Sequence, residues 1–66
     1  MTANQYRAAL AKLGLSQLAA ARLLGVGERT SRRWAEEGVD GTAAVLLRLL
    51  LKGKITEADI TAAKRG

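Results

Sequence analysis

Seven glycines and no proline punctuate this chain of 66 residues, and the positions of the glycines decide what can form between them. Gly14, Gly25, Gly27, Gly38 and Gly53 cut the chain into short stretches built from Ala, Leu, Arg, Lys, Glu and Gln. These are strong helix formers. None of the stretches sustains the polar/apolar alternation that a half-buried strand needs. The pattern predicts an all-α fold, with five helices packed as one small domain over residues 1–66.

Local start and stop signals set the expected boundaries. Thr2 and Gln5 form a capping box for a first helix over Ala3–Leu13, with Tyr6, Leu10 and Leu13 on one face. Ser16 caps a second helix, "QLAAARLL", which Gly25 stops. Leu18, Ala21 and Leu24 are expected to point inward, with Leu15 just outside the cap, and Ala19 and Ala20 leave room for a close neighbour. A third helix runs from Gly27 or Glu28 to Glu37. At about 100° per residue, Thr30, Ser31, Trp34 and Ala35 gather on one side, with Trp34 as the anchor. Glu28, Arg29, Arg32, Arg33, Glu36 and Glu37 take the other side. Asp40 is expected to cap a fourth helix, "GTAAVLLRLLLKG", closed by Gly53. Thr56 with Asp59, and Ile55 with Ile60, mark the start of a fifth helix over Glu57–Lys64. Lys64 and Arg65 suit the negative end of its dipole.

Composition removes several function classes. With no cysteine and no histidine, a disulfide is impossible and the usual zinc ligands are missing, so neither a metal nor another cofactor is expected. No apolar run approaches the ~20 residues that cross a bilayer. The opening "MTANQYR" lacks the basic stretch and apolar block of a signal peptide, so a cytoplasmic location is expected. Catalysis is not expected either, nor a small-molecule substrate. Glu36 and Glu37 are adjacent and so diverge by about 100°. Ser16 and Ser31 have no base beside them, and no phosphate-cradling glycine loop is present.

Charge is unevenly placed. The formal net charge is +5. Through Arg33 the chain carries Arg7, Lys12, Arg22, Arg29, Arg32 and Arg33 against Glu28 alone, whereas from Trp34 onward basic and acidic residues balance. A one-sided basic surplus is the electrostatic footprint of a protein that meets a polyanion. The plainer reading is a solvated helix. Glu28–Arg32–Glu36 and Arg29–Arg33–Glu37 fall at i,i+4 spacing, where each pair stabilises an exposed helix by ~0.2–0.5 kcal/mol.

The connection between the second and third helices tips that balance. A short helix, a three-residue turn and a second helix make a helix-turn-helix when they cross steeply. In "LGVG", Gly25 can take the left-handed conformation, Val26 can plug the corner, and Gly27 starts the next helix without bulk at the expected point of closest approach. The segment "LSQLAAARLLGVGERTSRRWAEEG", Leu15 to Gly38, resembles the DNA-binding segment of the Cro and phage-repressor (Xre-type) family. The features that carry the likeness are Ser16–Gln17, Ala21, Leu24–Gly25–Val26, Glu28–Arg29–Thr30 and Arg33–Trp34. Two residues depart from the family pattern: Ser31 stands where a branched apolar residue is usual, and Ala20 where a larger one is.

The resemblance implies a lambda-repressor-like domain whose third helix enters the major groove of double-stranded DNA, N-terminal end first. Gln17, Gly27, Glu28, Arg29, Thr30, Arg32 and Arg33 become the candidate contacts, with Gln17 and Thr30 directed to phosphate. It also implies a small phage- or prophage-type transcriptional regulator, acting as a repressor. The fourth helix adds an expectation of its own. Its apolar positions span about 260° of the wheel, against the ~100° that one core face requires. Val45 and Leu49 lie on one flank and Ala44 and Leu51 on the other, and these four are the candidate homodimer contacts. A symmetric pair would set two third helices ~34 Å apart, on successive turns of a palindrome. Alternatively the fifth helix folds back over this surface with Ile60 and Ala63. Two rival readings use the leucines differently: a helical protein–protein adaptor, and an antitoxin-like regulator.

Overall fold

A computed structural model describes residues 1–65. Five α-helices occur among them and no strands: α1 Ala3–Leu13, α2 Gln17–Leu24, α3 Glu28–Glu37, α4 Gly41–Leu51 and α5 Glu57–Arg65. The boundaries follow the local signals. The Thr2 hydroxyl accepts from the Gln5 N–H at 3.1 Å, and the Thr2 N–H donates to Gln5 Oε1 at 2.8 Å. Ser16 Oγ accepts from the Ala19 N–H at 3.0 Å. Thr56 and Asp59 repeat the reciprocal pair ahead of α5. Each box satisfies donors that a helix start would otherwise leave open.

Two local expectations are corrected. Asp40 occupies the cap position of α4, but its side chain makes no capping hydrogen bond. Gly41, the first residue of α4, is left-handed (φ 68°). In α2 the inward register is displaced. Ala20, Ala21 and Leu23 are the buried residues, Leu24 is half-buried, and Leu18 is 40% exposed.

The core gathers Tyr6 and Leu10 from α1, Ala20 and Leu23 from α2, Ala35 from α3, Val39, then Ala44, Leu47 and Leu50 from α4, and Ile60 from α5. Apolar burial on this scale is what holds so small a domain together. The radius of gyration, 10.8 Å, is the value expected of a well-packed chain of this length. Helix α3 packs on both α1 and α2, with its most extensive contact to α2, while α4 packs on α1. Helix α5 turns to α2, where Lys64 Nζ donates to the Arg22 carbonyl at 2.6 Å. Ile60 reaches the core, but Ala63 stays exposed.

Trp34 meets Tyr6 edge to face, with ring centroids 5.8 Å apart and planes at 80°. It is packed against the core but only half-buried. Trp34→Ala is therefore expected to cost about 2–3 kcal/mol, below the ~3–5 kcal/mol of a fully buried aromatic. Urea unfolding followed by far-UV circular dichroism reads this loss; an unchanged midpoint would mean that Trp34 does not anchor α3.

Candidate nucleic-acid interface

Residues 25–27 alone join α2 to α3. Gly25 is left-handed (φ 73°, ψ 30°), and the Val26 N–H returns to the Ala21 carbonyl at 2.9 Å. This bond closes the end of α2 and turns the chain sharply. Val26 is half-buried in the corner. Gly27 behaves differently from expectation. Its backbone is extended (φ −71°, ψ 154°), and a Cβ placed on it would meet nothing within 4 Å. Nothing in the chain approaches it closely, so the absent side chain leaves the start of α3 open only to what lies outside.

What seats α3 is a chain of hydroxyls. Ser31 is fully buried and donates from Oγ to the Gln17 carbonyl at 2.8 Å. That uses its one hydrogen, so the Tyr6 hydroxyl donates to Ser31 Oγ, at 2.7 Å. One line of hydrogen bonds, buried at Tyr6 and Ser31, thus joins α1, the first turn of α2 and the middle of α3. Ala20 of α2 is also fully buried, and α2 has its most extensive contact with α3. Ala20 and Ser31 are thus both fully buried, and Ser31 holds its place by directed hydrogen bonds. Arg7 adds a further tie, donating to the Ala35 carbonyl near the end of α3 and to Asn4 Oδ1.

The other side of α3 is left to solvent. Arg32 and Arg33 are 67% and 64% exposed. Arg32 pairs with Glu28 at 2.8 Å, and Arg33 lies 3.9 Å from Glu37. Pairs this open contribute little and yield readily to a stronger anion. Arg29 makes no ion pair among the described residues. Glu28, Arg29 and Arg32 line one shallow depression. Arg33 lies beside Arg29 on the outward side, at about 100° per residue. Thr30 is half-buried, and Gln17 stands exposed at the start of α2 with its carbonyl held by Ser31.

The structure divides the four candidate dimer contacts. Ala44 is 3% exposed and belongs to the core, so it is unavailable to a second copy. Leu51 borders a groove against α1. Val45, 52% exposed, and the half-buried Leu49 remain on the outer side of α4. Missed from sequence were the Tyr6–Ser31–Gln17 line and the Arg7 tie. The available signal was a serine among apolar residues, facing a tyrosine whose hydroxyl needed a partner. No described helix is long and apolar enough to cross a membrane, and the described residues hold no cluster of metal-ligating side chains. Compared with family models, with curated proteins and with solved structures, the chain matches none.

Proposed function

We propose that this chain binds double-stranded DNA through α3, in the manner of a helix-turn-helix, and acts as a small transcriptional regulator of the repressor type. The observation that carries the reading is the two-sidedness of α3. One side is locked by Ser31 and Ala35, and the other carries three arginines with weak or no internal partners. A charged helix that served only solubility would not need a three-helix hydrogen-bond line to fix its rotation. Arginine offers a planar fork matched to guanine O6 and N7, each good pair contributing roughly 1–3 kcal/mol of discrimination. Gln17 and the open Gly27 start of α3 suit phosphate, and Glu28 suits a cytosine amine or the orientation of Arg32. Glu36 and Glu37 belong to the end of α3 that lifts away from the duplex.

Pairing of two copies through Val45 and Leu49 is part of the proposal, and one experiment reads both parts. Duplexes selected from a random pool are expected to share a motif repeated as a palindrome, with half-sites ~34 Å apart. Binding to the selected duplex is expected to fall steeply with salt, with a slope of about −0.9 per phosphate contacted. Enrichment of no motif, together with salt-insensitive binding, would dismiss DNA as the partner. A motif without a repeat would dismiss the pairing alone.

A further inference from the structure

On the flank of α1 turned away from Tyr6 and Arg7, a shallow groove of about 280 Å³ runs between α1 and α4. Met1, Ala8, Ala9 and Leu51 supply apolar lining, and Lys12 and Arg48 stand beside them. Leu51 is one of the few large apolar side chains left exposed, at 38%. Neither Lys12 nor Arg48 forms an ion pair or a side-chain hydrogen bond among the described residues. Both sit in the last turn of their helices, where a cation suits the dipole. Neither is needed to cap that turn, however. The closing carbonyls of α1 accept from the Gly14 and Leu15 N–H groups, and those of α4 from Lys52, Gly53 and Lys54.

From this juxtaposition we infer that the α1–α4 groove is a docking site for an acidic amphipathic helix of another protein, whose apolar side chains sit against Leu51 and Ala8 while its carboxylates meet Lys12 and Arg48. A helix laid in a groove is read in this way, by spaced apolar anchors with charges beside them. The alternatives fit less well. A volume of about 280 Å³, open to solvent, lies below the ~300–1,000 Å³ of pockets that enclose small molecules. The groove lining contains no acid, so a second copy presenting the same groove would set cation against cation. A phosphate backbone would use the cations but leave Leu51 without a partner. No residue lining the groove belongs to α3, so the inference is independent of the DNA reading. Both partners can be held at once, which would make the domain a bridge between a duplex and an acidic protein.

The probes are three synthetic peptides: an amphipathic helix with leucines at i, i+4 and i+7 flanked by glutamates, the same peptide with lysines for glutamates, and a scrambled acidic peptide. Each is titrated into the ¹⁵N-labelled chain. The acidic amphipathic peptide is expected to bind at least tenfold more tightly than the other two, with shifts confined to Ala8, Ala9, Lys12, Arg48 and Leu51. The double change Lys12→Glu, Arg48→Glu is expected to reverse the preference toward the lysine peptide. Arg29→Ala with Arg32→Ala should leave it unchanged. Equal binding of the scrambled peptide, or shifts centred on α3, would overturn the inference by showing charge attraction alone. Pairing through Val45 and Leu49 moves the outer side of α4 as concentration rises; concentration-dependent shifts at Ala8, Lys12 and Leu51 without peptide would overturn the inference in favour of a second copy in the groove.

Discussion

Gly38→Ala is expected to cost the domain about 3–5 kcal/mol, a large part of its stability. Gly38 has φ 99° and ψ 173°, in backbone territory that is essentially closed to residues with a Cβ and costs them of the order of 1–3 kcal/mol. Space adds to the strain. A Cβ at Gly38 would lie 2.8 Å from the Met1 carbonyl oxygen and 3.3 Å from the Ala3 nitrogen. These are backbone atoms and cannot swing aside as a side chain would. To make room the first residues must move, and the Val39 N–H then loses its 2.9 Å bond to the Met1 carbonyl. The Thr2–Gln5 capping box lies in the same stretch and loses its geometry with it. The combined cost is about 3–5 kcal/mol, against a total stability of about 3–10 kcal/mol for a domain of this size. Gly27→Ala is the matched control. Its φ is already ordinary and its Cβ would meet open space, so a change within about 0.5 kcal/mol is expected. Urea unfolding of both variants, followed by far-UV circular dichroism and by Trp34 fluorescence, reads the contrast. Parent-like midpoints for both would mean that Gly38 does not hold the α3–α4 connection against the start of the chain.

That contrast also shows where the sequence was legible. The helix ends are local events: Thr2 with Gln5, Ser16 with Ala19, and Thr56 with Asp59 each bond within three residues. Reading the chain in order was enough to place them. The inward face of α2 was not legible, because "QLAAARLL" offers two apolar stripes of similar strength. Which stripe is buried depends on where α3 and α5 dock, and in the fold Leu23 is turned in and Leu18 out. Gly38 reads as a simple helix stop, yet its constraint comes from Met1, far away in sequence. The Tyr6–Ser31 bond spans 25 residues and is equally non-local. For the candidate interface, which arginines face outward could be read from helical periodicity. The means by which α3 is kept from rolling could not.

The rotation of α3 decides the last prediction. If Arg29 and Arg32 contact a duplex, Arg29→Ala and Arg32→Ala should each weaken binding by roughly 5–150-fold, the equivalent of about 1–3 kcal/mol, while helicity is retained. The two should differ in kind. Arg29 has no ion pair to give up, so its loss removes contact energy directly. Arg32 must first part from Glu28, 2.8 Å away, unless Glu28 stays in place and aims it. Glu28→Ala separates these cases. If Glu28 merely competes, its removal tightens binding to every duplex, because a free Arg32 and one carboxylate fewer both favour phosphate. If Glu28 orients Arg32, or accepts from a cytosine amine, its removal preserves non-specific binding and erases preference at one base pair. Anisotropy titrations against the selected duplex and its single-position variants, repeated over a salt series, measure both quantities. A slope lower by about one with uniform loss marks a phosphate contact, and loss at one position marks a reader. Parent-like binding by both arginine variants would leave α3 with no role in the duplex and would remove the basis on which the chain is placed on DNA.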